Sequence, residues 1–281
     1  MTQQLLNDGE IVTELDISHL VIEDDTPVDN LQSEKQQRLL VEPLYSSKAL
    51  PSPFLAAANV GLFYKLKGDP VVPDVMLSLG VQCADDFSKK QNRSYFVWEF
   101  GKLPEVCVEI VSNQEGDELT LSRKSQQKGK TIVKKDLYAQ IRIPYYVVFD
   151  PLKQIQGEPE MNGALLRVWA NSVGRYLELT PPQGVSEVGQ SIWLEEVGLG
   201  LTLWSGEFEE EVARTWLRWC VYPEGGTASQ RDGQIIPTGA ERAEIERQRA
   251  EIERQRAEAE RQRAERLADR LRTLGVDPDE I

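Results

Sequence analysis

Val106-Cys107-Val108-Glu109-Ile110-Val111 (VCVEIV) is the stretch from which both fold and function can be read. A short, nearly continuous apolar run of this kind reads as a strand covered on both faces, as in the middle of an α/β sheet. Glu109 is out of place there, because an unpaired charge among Val106, Val108, Ile110 and Val111 is very costly. Such a group is kept when it is paired with a cation, protonated for a task or bound to a metal. A lone Glu can also face solvent on alternating strand geometry, and the residue alone leaves that alternative open.

Upstream, Pro70-Val71-Val72-Pro73-Asp74 leads into the apolar run Val75–Leu79. If that run pairs with VCVEIV, Asp74 and Glu109 can converge on one Mg²⁺, an ion that takes a few carboxylates and completes its shell with water and phosphate oxygens. Such an ion polarises a phosphodiester and makes bound water nucleophilic near neutral pH. Pro-Asp at a strand start also serves as a turn device, so spacing alone is a weak signal. Downstream, Tyr145–Phe149 (YYVVF) is another buried strand closed by Asp150-Pro151, and Lys134–Ile141 between them reads as a helix. Helical spacing over Gln32–Leu50, stopped by Pro51 and Pro53, and an alternating strand at Val60–Lys67 precede this region. Further strands are predicted at Leu165–Ala170, Arg175–Thr180 and Leu199–Trp204. The order predicts an α/β fold, a mixed sheet flanked by helices.

The chain has 281 residues and a net charge of −14, which argues against a polyanionic partner unless a local basic patch exists. Its single histidine, His19, lies in an acidic stretch, so a Ser-His-Asp triad, a Cys-His nucleophile or a His-rich zinc site has no histidine in a catalytic setting. Cys83, Cys107 and Cys220 are too few and scattered for a disulfide framework. Apolar runs fall short of the roughly 18 residues that span a membrane, and the N-terminus lacks a secretory pattern, which predicts a cytoplasmic protein.

Residues 1–30 read as an acidic, loosely held leader, 31–237 as the folded body and 238–275 as a separate helix. Thr238-Gly239-Ala240-Glu241 has the form of a capping box, and Gly275-Val276 with Pro278 behind it suits a helix stop. Between them runs a seven-residue repeat, AEIERQR from Ala243 and again from Ala250, then AEAERQR from Ala257. Ile245, Ile252 and Ala259 at one core position put Gln248, Gln255 and Gln262 at the other. Glu and Arg three apart support the helix by themselves, so a solvated single helix and a coiled coil that makes a homo-oligomer both stay open.

The strings PDVMLSLGV (73–81), RSYFVWEFGKLPEVCVEIVSN (93–113) and KKDLYAQIRIPYYVVFDP (134–151) resemble the Uma-type restriction endonuclease family, a branch of the PD-(D/E)XK nuclease superfamily. The resemblance covers roughly residues 30–220 and is most specific around Trp98–Asn113. It implies a restriction-endonuclease-like core, a sheet flanked by helices, acting on DNA with Mg²⁺ or Mn²⁺. On it, Asp74 and Glu109 match the two metal-ligand positions. The superfamily's lysine, two residues after the second acid, is Val111 here; the family pattern moves it to the following helix, where Lys134 stands four residues before Tyr138. Glu118 resembles the acid that usually sits nearer that lysine, with about a dozen extra residues intervening, and Glu34 on the first helix is a further candidate acid.

The extra segment carries Arg123, Lys124, Lys128 and Lys130 without an acid from Leu119 to Lys135, which makes it a candidate contact for DNA phosphates. A solvated loop explains the same run. Tyr95, Trp98, Tyr145 and Tyr146 have the chemistry to stack on bases, although aromatics in strands usually pack the core. Together these readings give a divalent-metal-dependent endonuclease as the leading expectation. The alternative is a catalytically inactive nuclease fold that recruits partners through its C-terminal helix, and a phosphodiesterase acting on small or RNA substrates would use the same residues.

Overall fold

The computed structural model describes residues 3–5, 11–13, 16–22, 30–122, 126, 129, 131–209, 212–223 and 233–274. In chain order the first elements are β1 (Gln3–Leu5), β2 (Ile11–Thr13), α1 (Leu31–Ser47), β3 (Phe54–Ala58), β4 (Leu62–Phe63) and β5 (Val75–Leu79). Next come β6 (Tyr95–Phe96), α2 (Val97–Phe100), β7 (Val106–Ile110), α3 (Lys134–Gln140), β8 (Tyr145–Phe149), β9 (Leu166–Ser172) and β10 (Arg175–Glu178). The last are β11 (Ser191–Leu194), β12 (Leu199–Gly206), β13 (Arg214–Val221), β14 (Gln234–Ile235) and α4 (Gly239–Thr273). Two compact units result, residues 1–236 and 237–281.

In the first unit a six-stranded sheet has the order β10-β9-β8-β7-β5-β3, parallel between β7 and β8 and antiparallel elsewhere. The parallel step is made through α3, where the sequence predicts a helix at Lys134–Ile141. All five residues of β7 and of β8 are buried, because both faces of the sheet are covered. On one face Val75, Leu77, Val106, Val108, Val147 and Phe149 pack with Leu40 and Leu44 of α1 and with Leu199, Leu201 and Trp219 of a second sheet. On the other, Met76, Cys107, Tyr146 and Val148 pack with Tyr138 of α3. Tyr95, Tyr145 and Tyr146 are core residues, and Trp98 packs against Phe96 and Leu20.

Several predicted boundaries move. α1 ends at Ser47 on a left-handed Lys48 (φ 60°), before the prolines reach it, and it carries Pro43 inside. Asn30 starts it, its side chain accepting from Ser33 N at 2.9 Å. Within Val60–Lys67 only Leu62 and Phe63 find a neighbouring strand, β6, and the chain turns back so that Val71 bridges Leu62. The alternation there has no partner to hold it, and Leu66 is exposed. The strand that flanks β5 is instead β3, whose FLAAA sequence shows no period. The leader also has structure: β1 and β2 pair antiparallel, and Leu20 is buried with Phe63 and Phe96.

The second sheet, β11-β12-β13-β14, was largely invisible in the sequence. Arg214 and Arg218 interrupt the apolar pattern of β13, yet Arg218 is buried, donating to Ile236 O at 2.9 Å with its guanidinium over the Trp204 ring. Gln36 of α1 ties this sheet down as a surrogate peptide group. It donates to Leu217 O (2.8 Å) and accepts from Leu217 N (3.0 Å) in the buried interior. Trp219 adds a bond from its indole to Leu40 O at 2.8 Å. In the second unit α4 has the expected capping box, Thr238 accepting from Glu241 N and Glu241 from Thr238 N. The proposed stop at Gly275, Val276 and Pro278 lies outside the described residues. Among the described residues no helix is long and apolar enough to cross a membrane.

Truncating Gln36 to Ala leaves the N–H and C=O of Leu217 without their partner in a dry interior. A loss of about 2–4 kcal/mol is expected, read from urea unfolding, while exposed Gln82→Ala should change stability by about 0.5 kcal/mol or less.

Candidate active site

The register pairs Val75 with Val108 and Met76 with Cys107, so Asp74, immediately before β5, comes opposite Glu109. Side chains facing each other across an antiparallel pair share a face, here that of Met76, Cys107 and Tyr138. Asp74 is held by the neighbouring strand itself, its Oδ2 accepting from Ile110 N at 2.6 Å. Its Oδ1 accepts from Gln37 Nε2 at 3.2 Å, and Gln37 Oε1 in turn accepts from Asn59 Nδ2 at 3.0 Å.

Glu109 is 1% exposed. Its Oε2 accepts from Lys134 Nζ at 2.7 Å and its Oε1 from the Tyr138 hydroxyl at 2.9 Å. Lys134 and Tyr138 stand four apart on α3 and so share the helix face laid over β7. Burial pushes the Glu109 carboxyl upward, while the Lys134 ammonium and the Tyr138 hydroxyl pull it back. Burial alone would lower the Lys134 ammonium, but Glu109, Glu118 and Asp74 outweigh it and hold it above its usual range. The acids around Lys134 thus favour its charged form at this site. Burial, with the Glu109 charge behind it, keeps Tyr138 a protonated donor.

The extra residues between Glu118 and Lys134 do not carry Glu118 away. Backbone N–H groups at the start of α3 return to that segment, Lys134 N donating to Asp117 O (2.8 Å) and Lys135 N to Glu118 O (3.2 Å). The Tyr146 hydroxyl adds a bond to Glu118 O at 3.0 Å. The Glu118 side chain is buried, its Oε2 has no hydrogen-bond partner among the described residues, and burial pushes its carboxyl up to about 7. Glu34 faces elsewhere, its Oε1 on Arg38 Nε at 2.6 Å in a cluster with Glu209. The residue of α1 that touches Asp74 is Gln37, which sequence reasoning missed; its signal was the buried polar face Ser33-Gln36-Gln37. Tyr138 was noted only as a landmark for Lys134, although i,i+4 spacing already placed the two side by side. Arg123, Lys124, Lys128 and Lys130 lie outside the described residues.

Among the described residues no group of three or more His, Cys, Asp or Glu side chains is placed to hold a metal ion. Two carboxylates facing across adjacent strands, with the unpartnered Glu118 oxygen near the same ammonium, remain an all-oxygen donor set. That set suits Mg²⁺, which keeps several waters and needs only one or two carboxylates; among the described residues no imidazole stands with it, and burial pushes the Cys107 thiol on the same face up, away from the thiolate that softer metals favour.

Glu118 makes stability depend on pH. Its folded value near 7 exceeds the ordinary 4.5, so between those values the native state binds more protons than the unfolded chain. Native stability therefore falls as pH rises through this window, by up to about 3 kcal/mol. Glu118→Gln should match the parent near pH 5 and exceed it at pH 8, measured by urea unfolding across that range; identical pH profiles would refute the burial argument.

Comparison with known proteins places the chain in a family. The family model described as "Uma2: Putative restriction endonuclease" matches residues 16–180, more than half of the chain. Neither the search of curated proteins nor the search of solved structures found a match. The match begins where the leader starts to pack, at Ile17–Leu20, and ends just beyond β10 of the six-stranded sheet, so it spans Asp74, Glu109, Glu118 and Lys134 together. With an α/β core of the restriction-endonuclease-like kind and these residues inside the matched region, the chain belongs to the Uma2 restriction endonuclease family.

Proposed function

We propose that the protein is a divalent-metal-dependent endonuclease that hydrolyses DNA phosphodiester bonds. The observation that carries this reading is the placement of Asp74 opposite Glu109 on adjacent strands, with the Lys134 ammonium 2.7 Å from Glu109. Asp74 and Glu109 would hold Mg²⁺ (or Mn²⁺), which when bound supplies Lewis-acid polarisation of the phosphodiester and an acidified water. Lys134, held protonated, cannot act as a general base. Its role is donation, to an attacking water's oxygen or to phosphate charge as it develops. Tyr138 fixes the rotamer of Glu109 from the side opposite Lys134, and Gln37 with Ile110 N fixes Asp74. Glu118, buried near the same ammonium, is the third acid of the site. The basic run at Arg123, Lys124, Lys128 and Lys130 belongs to this proposal as a phosphate contact that would make DNA binding salt-sensitive.

The full chain with Mg²⁺ or Mn²⁺ should nick supercoiled DNA. Asp74→Asn and Glu109→Gln should lower the rate by about 10²–10³-fold, with circular dichroism confirming that both variants stay folded. Cleavage persisting in both variants defeats the assignment. Calorimetric titration with Mn²⁺ separates the rival reading: a folded chain that binds no Mn²⁺ specifically is an interaction protein on a nuclease scaffold.

A further inference from the structure

We propose that α4 pairs in parallel with the α4 of a second copy of this chain, through the seam of Ile245, Gln248, Ile252, Gln255, Ala259 and Gln262. This stands apart from the nuclease reading, and its test requires no cleavage. The helix runs 35 residues with none buried, and Ile245 and Ile252 are 42% and 50% exposed. A helix so polar needs no partner for solubility, so the argument rests on where its charges stand.

Of the seven ways to lay a heptad on the repeat from Glu244 to Gln262, one alone keeps charge out of both core positions. It puts Ile245, Ile252 and Ala259 at a and Gln248, Gln255 and Gln262 at d. Each of the other six puts Glu or Arg on the seam in every heptad. In that one frame all four g positions are acidic (Glu244, Glu251, Glu258, Glu265) and all four e positions are basic (Arg249, Arg256, Arg263, Arg270). In a parallel pair a g residue meets the e residue five further along the partner, so every such contact is Glu with Arg. In an antiparallel pair g meets g and e meets e, so every contact is between like charges. The same frame therefore selects an uncharged seam and one orientation.

The bonds within a single helix engage the g acids, which also accept from Gln248, Gln255 and Gln262, but leave the e cations free. Glu244 pairs with Arg247 (2.7 Å), Glu251 with Arg254 (3.0 Å) and Glu265 with Arg261 (3.2 Å), all arginines of the c position. Arg249, Arg256, Arg263 and Arg270 have no ion pair among the described residues. The frame directs these four cations at a partner's g acids, which can turn to them from their bonds within the helix. Glutamine at d makes the seam weak, so association is concentration-dependent and relies on the flanking charges. Arg266 and Asp269 at the fourth a and d positions end it. A parallel pair joins the helices with their N-termini at one end, where both copies of the 1–236 unit are attached.

Sedimentation equilibrium of the full chain over a range of concentrations tests this. In low salt the mean mass should rise towards twice that of one chain, with association weakening about tenfold or more in 0.5 M NaCl. Arg249→Glu/Arg256→Glu/Arg263→Glu should sediment as a monomer, as should Glu244→Arg/Glu251→Arg/Glu258→Arg, and an equimolar mixture of the two should recover the dimer mass. Orientation is read from Ile245→Cys on a Cys83→Ser background: mild oxidation should give a disulfide-linked dimer, because a residues of a parallel pair adjoin their own copies. A monomer at every concentration in low salt overturns the proposal. So does a dimer that survives charge reversal, or a charge-sensitive dimer in which Ile245→Cys does not cross-link.

Discussion

A carboxylate buried inside a sheet governs the architecture of the 1–236 unit. Glu109 sits between Val108 and Ile110 on a strand whose five residues are all buried. Taking that charge out of water costs several kcal/mol, and removing one partner of such a pair is far worse than never having made it. The remedy must come from outside the strand, and it is α3, which delivers Lys134 and Tyr138 to the two Glu109 oxygens. The position of α3 over the sheet is thereby specified more narrowly than apolar packing alone would require. Because Lys134 and Lys135 also bind the backbone of Asp117 and Glu118, the same constraint closes the base of the long insertion and keeps Glu118 in the neighbourhood.

The first helix plays the matching part on the other acid. Its buried face includes two glutamines that act in opposite directions, Gln36 gripping the backbone of β13 and Gln37 holding Asp74. Asp74 is thus aligned by a chain of contacts reaching from the second sheet through α1, while Ile110 N aligns it from within the site. Buried amides of this sort add little net stability while satisfied but are expensive to orphan, so they fix register more than they hold the fold together. A carboxylate oriented on both oxygens before any ligand arrives is preorganised, the condition under which a charged site works best.

The two units solve the problem of charge by different means. In the body, charges near the core are met one by one, Arg218 by the Trp204 ring and the Ile236 carbonyl and Lys134 by Glu109. In α4, exposed Glu and Arg alternate along a helix with no core of its own, each pair contributing only tenths of a kcal/mol. Information in such a helix lies in the frame of the charges rather than in burial.

What the sequence determined by itself was everything local: strands 75–79, 106–110 and 145–149, the helix beginning at Lys134, the capping box at Thr238, and the anomaly of Glu109, since each is written in a continuous run of a few residues. The family resemblance likewise pointed to Asp74, Glu109, Glu118 and Lys134 as a group, without their geometry. Only the tertiary structure decided that Asp74 falls opposite Glu109, that Gln37 rather than Glu34 touches it, and that Glu118 returns to the base of α3 after a long insertion. It alone revealed β3 and β13, because FLAAA lacks a period and the buried arginine of β13 breaks one. The physical reason is common to all of these. Strand pairing and side-chain hydrogen bonds join residues tens to nearly two hundred positions apart, and no local pattern of polarity records which distant partner will satisfy a buried polar group.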